Sequence, residues 1–292
     1  MRPCPPFQLP PAVLTVHDHD RAAVGMTYVY PVVSRRAGGV SVGVNLNPNN
    51  ACNWACIYCQ VPNLTRGGPP PVDLVRLEKE LRLMLADILE GDFLQREVPA
   101  AARRLNDIAL SGNGEPTSAR EFPEVVELIG RILTELGLTG KIKFVLITNG
   151  SLADHARVRQ GIARMADFGG EVWFKLDAAT ASGLRAINQT RTAPEKHLAR
   201  LQSVAALAPT WVQTCVFAYD GKPPTAAAQQ AYLDALAQLV KGGVPLRGVL
   251  LYGLARPSLQ PQAARLSALP AAWLEDYAER IRALGLNVKV TP

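Results

Sequence analysis

Two apolar periods take turns along this chain. Thr27–Ser34 and Val40–Leu46 carry strand-like patterns, and the stretch Arg35-Arg36-Ala37-Gly38-Gly39 between them suits a turn. From Val72 to Leu89 the apolar residues fall at 74, 77, 81, 84, 85 and 88, a helical stripe. Strand and helix signals then alternate. Strands are expected over Asp107–Gly112, Lys143–Thr148, Glu171–Leu176, Trp211–Ala218 and Leu246–Leu254, with a last one over Asn287–Val290. Helices are expected over Phe122–Leu138, Ala153–Phe168, His197–Leu207, Ala226–Val240 and Ala271–Leu284. Pro123 sits at a tolerated first-turn position, and Gly169-Gly170 and Gly242-Gly243 close two of these helices.

Such alternation with short connections predicts an α/β fold, a parallel sheet covered by helices. The pattern alone leaves an open doubly wound sheet and a barrel equally open. In either, chemistry gathers at the C-terminal ends of the strands. The polar signals do fall there: Asn45–Cys59, Ser111–Glu115, Thr148–Gly150, Lys175–Asp177 and Ala255–Arg256. Five strand ends on one rim carry more weight than any single motif.

Composition narrows the class. The 292 residues are 48% hydrophobic, enough for one large core. No apolar run reaches membrane-spanning length, and the proline-rich stretch Met1–Pro11 lacks a signal-peptide core, so a cytoplasmic protein with no membrane partner is expected. A net charge of +6 is compatible with an RNA partner. Arg35-Arg36 and Arg103-Arg104 are only short pairs, however, and no aromatic-interleaved basic tract appears, so arginines on solvated helix faces account for most of it.

The chemistry concentrates between Gly43 and Gln60. Three of the five cysteines, Cys52, Cys56 and Cys59, follow an Asn/Pro-rich loop with three and then two residues between them. Clustered cysteines point to metal ligation in a reducing compartment rather than to disulfides. A tetrahedral zinc site needs a fourth ligand, which His17 or His19 would have to supply. A cubane iron–sulfur cluster on three thiolates instead leaves one iron open to a ligand. Further along, Gly112-Asn113-Gly114-Glu115 follows a strand; the glycines allow close backbone approach, and Glu115 offers a carboxylate to a ligand ammonium. Strand alternation places Trp173, Lys175 and Asp177 on one face, with Asp177 within reach of Lys175 as a partner. Cys215, inside a strand, has packing as its default role.

Cys52-x-x-x-Cys56-x-x-Cys59, with Tyr58 before the last cysteine, resembles the signature loop of the radical S-adenosylmethionine (radical SAM) superfamily. The resemblance implies a [4Fe-4S] cluster whose open iron chelates S-adenosylmethionine, reductive cleavage to a 5′-deoxyadenosyl radical, and an electron donor such as flavodoxin or ferredoxin. It implies a partial TIM-type (β/α)6 barrel over 27–257, with an extension over 1–26 and a C-terminal helix–strand over 258–292. By the same resemblance Tyr58 lies near the adenine, and Gly112, Asn113, Gly114 and Glu115 stand where the family holds the cofactor's amino group. Thr148, Asn149, Lys175, Asp177 and Arg191 would supply further cofactor contacts. The runs Ser111–Thr117 and Lys175–Thr180 look similar to a group around the wyosine-base tRNA synthases, which makes RNA the favoured substrate class ahead of a small metabolite or peptide. Only Cys4 precedes the motif, so the second-cluster cysteines of that group are missing. A zinc-binding or electron-transfer protein is the alternative.

Overall fold

In a computed structural model of the chain, described for residue 14, residues 25–34 and residues 38–292, one eight-stranded sheet organises the molecule. Its strands are β1 (Val29–Ser34), β2 (Gly39–Val44), β3 (Leu105–Leu110), β4 (Lys143–Thr148), β5 (Glu171–Lys175), β6 (Thr210–Cys215), β7 (Leu246–Tyr252) and β8 (Val288–Thr291). They lie side by side in chain order. β1 pairs antiparallel with β2, from Val29 opposite Val44 to Ser34 opposite Gly39, and every later neighbour is parallel. Chain order with parallel pairing requires a helical crossover of one hand each time, so the helices gather on one face and the sheet curls into a half-barrel. The expected partial TIM-type architecture of the radical SAM kind is therefore the one found.

The covering helices are α1 (Leu74–Leu89), α2 (Phe122–Glu135), α3 (Ala156–Asp167), α4 (Ala181–Ile187), α5 (Pro194–Ala205), α6 (Ala226–Lys241) and α7 (Ala271–Arg282). Period and pleat explain the packing. Leu77, Leu81, Leu85 and Ile88 of α1, and Val125, Ile129 and Ile132 of α2, meet Val42, Ile108, Leu110, Phe144 and Leu146 of the strands in the main core. Alternate strand residues Ala109, Val145, Trp173, Trp211 and Leu250 form a smaller apolar cluster of their own. Strands covered on one face and half-enclosed on the other read as near-continuous apolar runs.

Local chemistry sets where elements begin and end. Asp73 caps α1 by accepting from Arg76 N at 3.0 Å, and Thr225 caps α6 through Ala228 N at 3.2 Å. The helix expected over Phe122–Leu138 stops at Glu135, where Gly137 turns with φ +62°. The one expected from Ala153 starts at Ala156, because residues 151–154 form turns. Pro194 opens α5 three residues before the expected His197 start. The short helices Phe93–Glu97 and α4 escaped the periodicity argument, being too brief to show a stripe. The expectations for the lead-in, with Cys4, His17 and His19, fall outside the described residues. Among the described residues no helix is long and apolar enough to cross a membrane.

Candidate functional site

The cysteine loop is moored on two sides. On the first, asparagine side chains replace backbone partners. Asn45 Oδ1 accepts from Asn47 N at 3.1 Å and Asn113 N at 3.0 Å, and Asn47 Nδ2 donates to the Ala51 carbonyl at 2.9 Å. Asn113 Nδ2 donates to Asn50 Oδ1 at 2.6 Å. The β3 turn can approach this closely only through glycine. A Cβ on Gly112, whose φ is +147°, would stand 2.4 Å from Asn45 Oδ1, and one on Gly114 would stand 2.2 Å from the Ala51 carbonyl oxygen. On the second side, Ile57 N donates to the Ile187 carbonyl at 2.9 Å, and Ser258 Oγ donates to the Ile57 carbonyl at 2.7 Å. Leu259 N reaches the Cys59 carbonyl at 3.0 Å. Residues 258–260, assigned from sequence to an extension, thus fasten the loop.

Cys52, Cys56 and Cys59 are half-buried and line one cleft of about 270 Å³ with Tyr58, Gly112, Asn113, Gly114, Glu115, Asn149, Lys175 and Tyr252. Burial pushes the Cys52 and Cys56 thiols up to about 12, helped by the charges of Glu115 and Asp177 respectively. These thiols ionise only against a compensating cation, as metal binding provides. Among the described residues, no three His, Cys, Asp or Glu side chains gather around one point as a single ion would require. Three thiols lining one cleft are the donor type that an iron–sulfur centre takes.

Glu115 is 2% exposed and fully engaged. Oε1 accepts from Thr117 N at 3.2 Å and from the hydroxyls of Thr117 and Thr148, both at 2.6 Å. Oε2 accepts from Asn149 N at 2.6 Å. Burial raises its pKa, and these donors hold it down in turn. The carboxylate lines the cleft and at the same time braces the turn. The turn presents residues 112–115 to the cleft. Thr148 is spent on Glu115 and on Gly150 N, while the Asn149 amide donates to Asn53 Oδ1 at 2.9 Å.

Lys175 and Asp177 do not form the pair expected of them. Lys175 Nζ donates to the Tyr252 hydroxyl at 3.1 Å and lies 5.0 Å above the Tyr58 ring. Burial opposes its charge, but the acids around it (Tyr252, Asp177, Cys56 and Cys215) outweigh that and set its pKa above the ordinary lysine value. Asp177 lies past the end of β5 and is turned toward the loops. It accepts from Tyr58 OH at 2.5 Å, Asn188 Nδ2 at 2.7 Å and Cys215 N at 2.9 Å. Burial, then Asp177, raises the Tyr58 phenol well above its ordinary value, so Tyr58 stays the donor.

Arg191 is not brought to the cleft. It is exposed beside Ala179, Thr180 and Arg185 in a separate shallow depression. Several contributors carried no sequence signal of function. Asn188, which caps the C-terminal end of α4, and His197, read from sequence only as the start of a helix, are two of them. His197 is fully buried between Trp54 (ring centroids 5.4 Å) and Phe174 (4.9 Å), and its Nε2 donates to the Lys175 carbonyl at 2.9 Å. Burial lowers its pKa to about 4, so the ring is neutral. Cys215 is buried beside Ile57, Tyr58 and Phe217, as a packing residue would be, and its backbone serves Asp177.

Comparison with known proteins agrees with this geometry. The chain is 31% identical over 164 residues to the UPF0026 protein slr1464 of Synechocystis sp., covering 55% of this chain and 52% of that one. It is 28% identical over 162 residues to a protein named GTPase Obg of Brachyspira hyodysenteriae, covering 54% of this chain and 20% of that one. The chain thus spans about half the length of the first relative and a fifth of the second. Among solved structures, TYW1 with a lysine–pyruvate adduct bound superposes with a TM-score of 0.56 at 16% identity, over 85% of this chain and 74% of that one. A cysteine-to-alanine mutant of spore photoproduct lyase gives 0.52 at 11% identity, over 83% and 74%. At these identities the likeness is one of fold. The sequence model of the radical SAM superfamily matches residues 46–220, which takes in the cysteine loop, the braced turn and the β5 end. Members are enzymes that use S-adenosylmethionine and an iron–sulfur cluster, and by that match over more than half its length this chain belongs to the radical SAM superfamily.

Proposed function

We propose that the cleft holds a [4Fe-4S] cluster on Cys52, Cys56 and Cys59 with S-adenosylmethionine beside it, and that the reaction abstracts hydrogen from a nucleotide within RNA. One observation carries this reading: the three thiols, the Gly112–Glu115 turn and the Lys175 strand end all face one cleft. Held there and reduced, the cluster would supply the electron for reductive cleavage of S-adenosylmethionine, the source of a hydrogen-abstracting 5′-deoxyadenosyl radical.

The chain's own residues do the rest. The 112–114 backbone would hold the methionyl end, and Glu115 keeps that turn rigid through Thr148 and Asn149. Lys175 faces the cleft with an ammonium and, among the described residues, no carboxylate within salt-bridge distance, so it attracts the cofactor carboxylate. Tyr58 is fixed by Asp177 and tilted against Phe217, ring centroids 5.7 Å apart, and offers an aromatic surface to the adenine. Val32, Ile147 and Trp173 make part of the wall apolar, which limits water near a reactive intermediate. An electron donor such as flavodoxin or ferredoxin supplies the reducing equivalent.

RNA is favoured as substrate by the net charge of +6 and by the likeness of residues 111–117 and 175–180 to the wyosine-base tRNA synthase group. The lysine–pyruvate adduct belongs to TYW1 and is not carried over; only Cys4 lies upstream of the motif here. The test is anaerobic. Protein reconstituted with iron and sulfide, then reduced, should convert S-adenosylmethionine to 5′-deoxyadenosine. Cys56→Ala should lose cluster and product while keeping a native circular dichroism spectrum. A colourless zinc protein giving no product would overturn the reading. With bulk tRNA as probe, affinity should fall linearly on a log–log plot against salt; a flat response would move the substrate to the small-molecule class.

A further inference from the structure

Asn188 ends α4 in a position that no motif assigns. Its side chain is 0% exposed. The amide nitrogen donates in two directions, to Cys56 Sγ at 3.3 Å and to Asp177 Oδ2 at 2.7 Å. The Asp177 carboxylate can only accept, so the NH2 end faces it and its second N–H is turned to the Cys56 sulfur. The amide oxygen is left buried with no hydrogen-bond partner. Leaving such an oxygen unmet costs about 1–3 kcal/mol. Flipping the amide would set its oxygen against the Asp177 carboxylate at 2.7 Å, exchanging a hydrogen bond for a repulsion. The orphaned oxygen records what the site retains: two N–H bonds, one of them aimed at a cysteine sulfur.

The backbone holds this arrangement in place independently of the side chain. Ala55 N donates to the Asn188 carbonyl at 3.3 Å and Ile57 N to the Ile187 carbonyl at 2.9 Å, so the end of α4 is joined to the residues on either side of Cys56. The amide is therefore delivered to Cys56 by two strands of contact, and Asp177 fixes its rotation.

We infer that Asn188 is a positioning residue that tunes the reduction potential of the centre bound through Cys56, by donating an N–H hydrogen bond to that sulfur. This rests on the reading that Cys56 is a cluster ligand. A hydrogen bond to a ligating sulfur stabilises negative charge on the centre, and the reduced state carries one more negative charge than the oxidised state. The bond therefore favours reduction. The chemistry requires an electron to enter this centre, and Asn188 eases that entry without touching substrate.

The experiment compares wild type with Asn188→Leu, near in volume and without donors, after anaerobic reconstitution. Iron and sulfide are counted first, and the midpoint potential is then measured by EPR-monitored titration. The expected result is equal loading with a centre about tenfold harder to reduce in the variant, about 59 mV more negative for a one-electron couple. In deuterium exchange followed by pulsed EPR, the variant should also lack one exchangeable proton coupling seen in wild type. A purely structural role would change loading or melting temperature but not the proton coupling. Equal loading with equal potentials would overturn the inference. A wild type that binds no cluster would overturn the site reading itself, and the two failures are thus distinct. Should the leucine variant not load, Asn188→Ser, too short to reach Cys56, gives the same comparison, and an unchanged potential there would also overturn it.

Discussion

Glu115 shows how one buried side chain can order the turn that lines a cleft. Four donors converge on its buried carboxylate, from Thr117, Thr148 and Asn149. Glu115→Ala strands those donors, and a loss of about 2–4 kcal/mol is expected. Urea denaturation of the metal-free protein measures it, and calorimetry should show S-adenosylmethionine affinity falling with it as the 112–114 backbone loosens. Unchanged stability would mean that the turn holds without its brace. Gly114→Ala should act more locally. Its methyl would meet the Ala51 carbonyl, adjacent to Cys52, so iron loading should drop while the sheet remains intact by circular dichroism. The sequence made the glycines legible because the constraint is their own backbone. It left the destination of the Glu115 carboxylate open, because Thr148 and Asn149 stand 33 and 34 residues away.

At the scale of elements, α5 supports the site from behind. His197 sits on its first turn and couples the Lys175 carbonyl to Trp54 of the cysteine loop. Its folded pKa is about 4 against an ordinary 6.5. Between those values the unfolded chain binds a proton that the folded chain refuses. Stability from this group is therefore complete above about pH 6.5 and declines as pH falls toward 4, by at most about 3 kcal/mol. His197→Gln removes that titration, so the variant's stability should vary less between pH 7 and pH 4.5 than wild type's, by about 2 kcal/mol in paired urea titrations. Parallel curves for the two proteins would argue against a buried neutral imidazole. Most strands and long helices were legible because a buried face imposes its period on sequence. The pairing of Lys175 with Tyr252, and of Asp177 with Tyr58, was not. Alternation says which face a residue occupies, whereas the partner depends on strands and loops 77 and 119 residues away.

On the scale of the molecule, the C-terminal segment is more than an appendage. β8 pairs with β7 from Val288 opposite Val249 to Thr291 opposite Tyr252, and Gly253 N donates to the Thr291 carbonyl at 2.9 Å. A chain ending at Leu286 leaves β7 as a bare edge. Its melting temperature should fall on the order of 5–10 °C, with larger species appearing in light scattering; a monomer of unchanged melting temperature would show β8 to be dispensable. Resemblance located the barrel and its rim, but the fastening of the cysteine loop by residues 258–260 lies beyond the reach of any local pattern.

Sheet order identical to chain order has a consequence for how the molecule is made. Each strand leaving the ribosome finds its neighbour already delivered, so the sheet can grow from one side as synthesis proceeds. The site cannot. The hydrogen bond from Ser258 to Ile57 spans 201 residues, and that from Asn188 to Cys56 spans 132. At about 5–20 residues per second, the thiols wait on the order of 10–40 s for their last fastening. For that interval the nascent chain carries three cysteines unguarded against oxidants and stray metals, which makes the time of cluster insertion a matter of cellular supply as much as of fold.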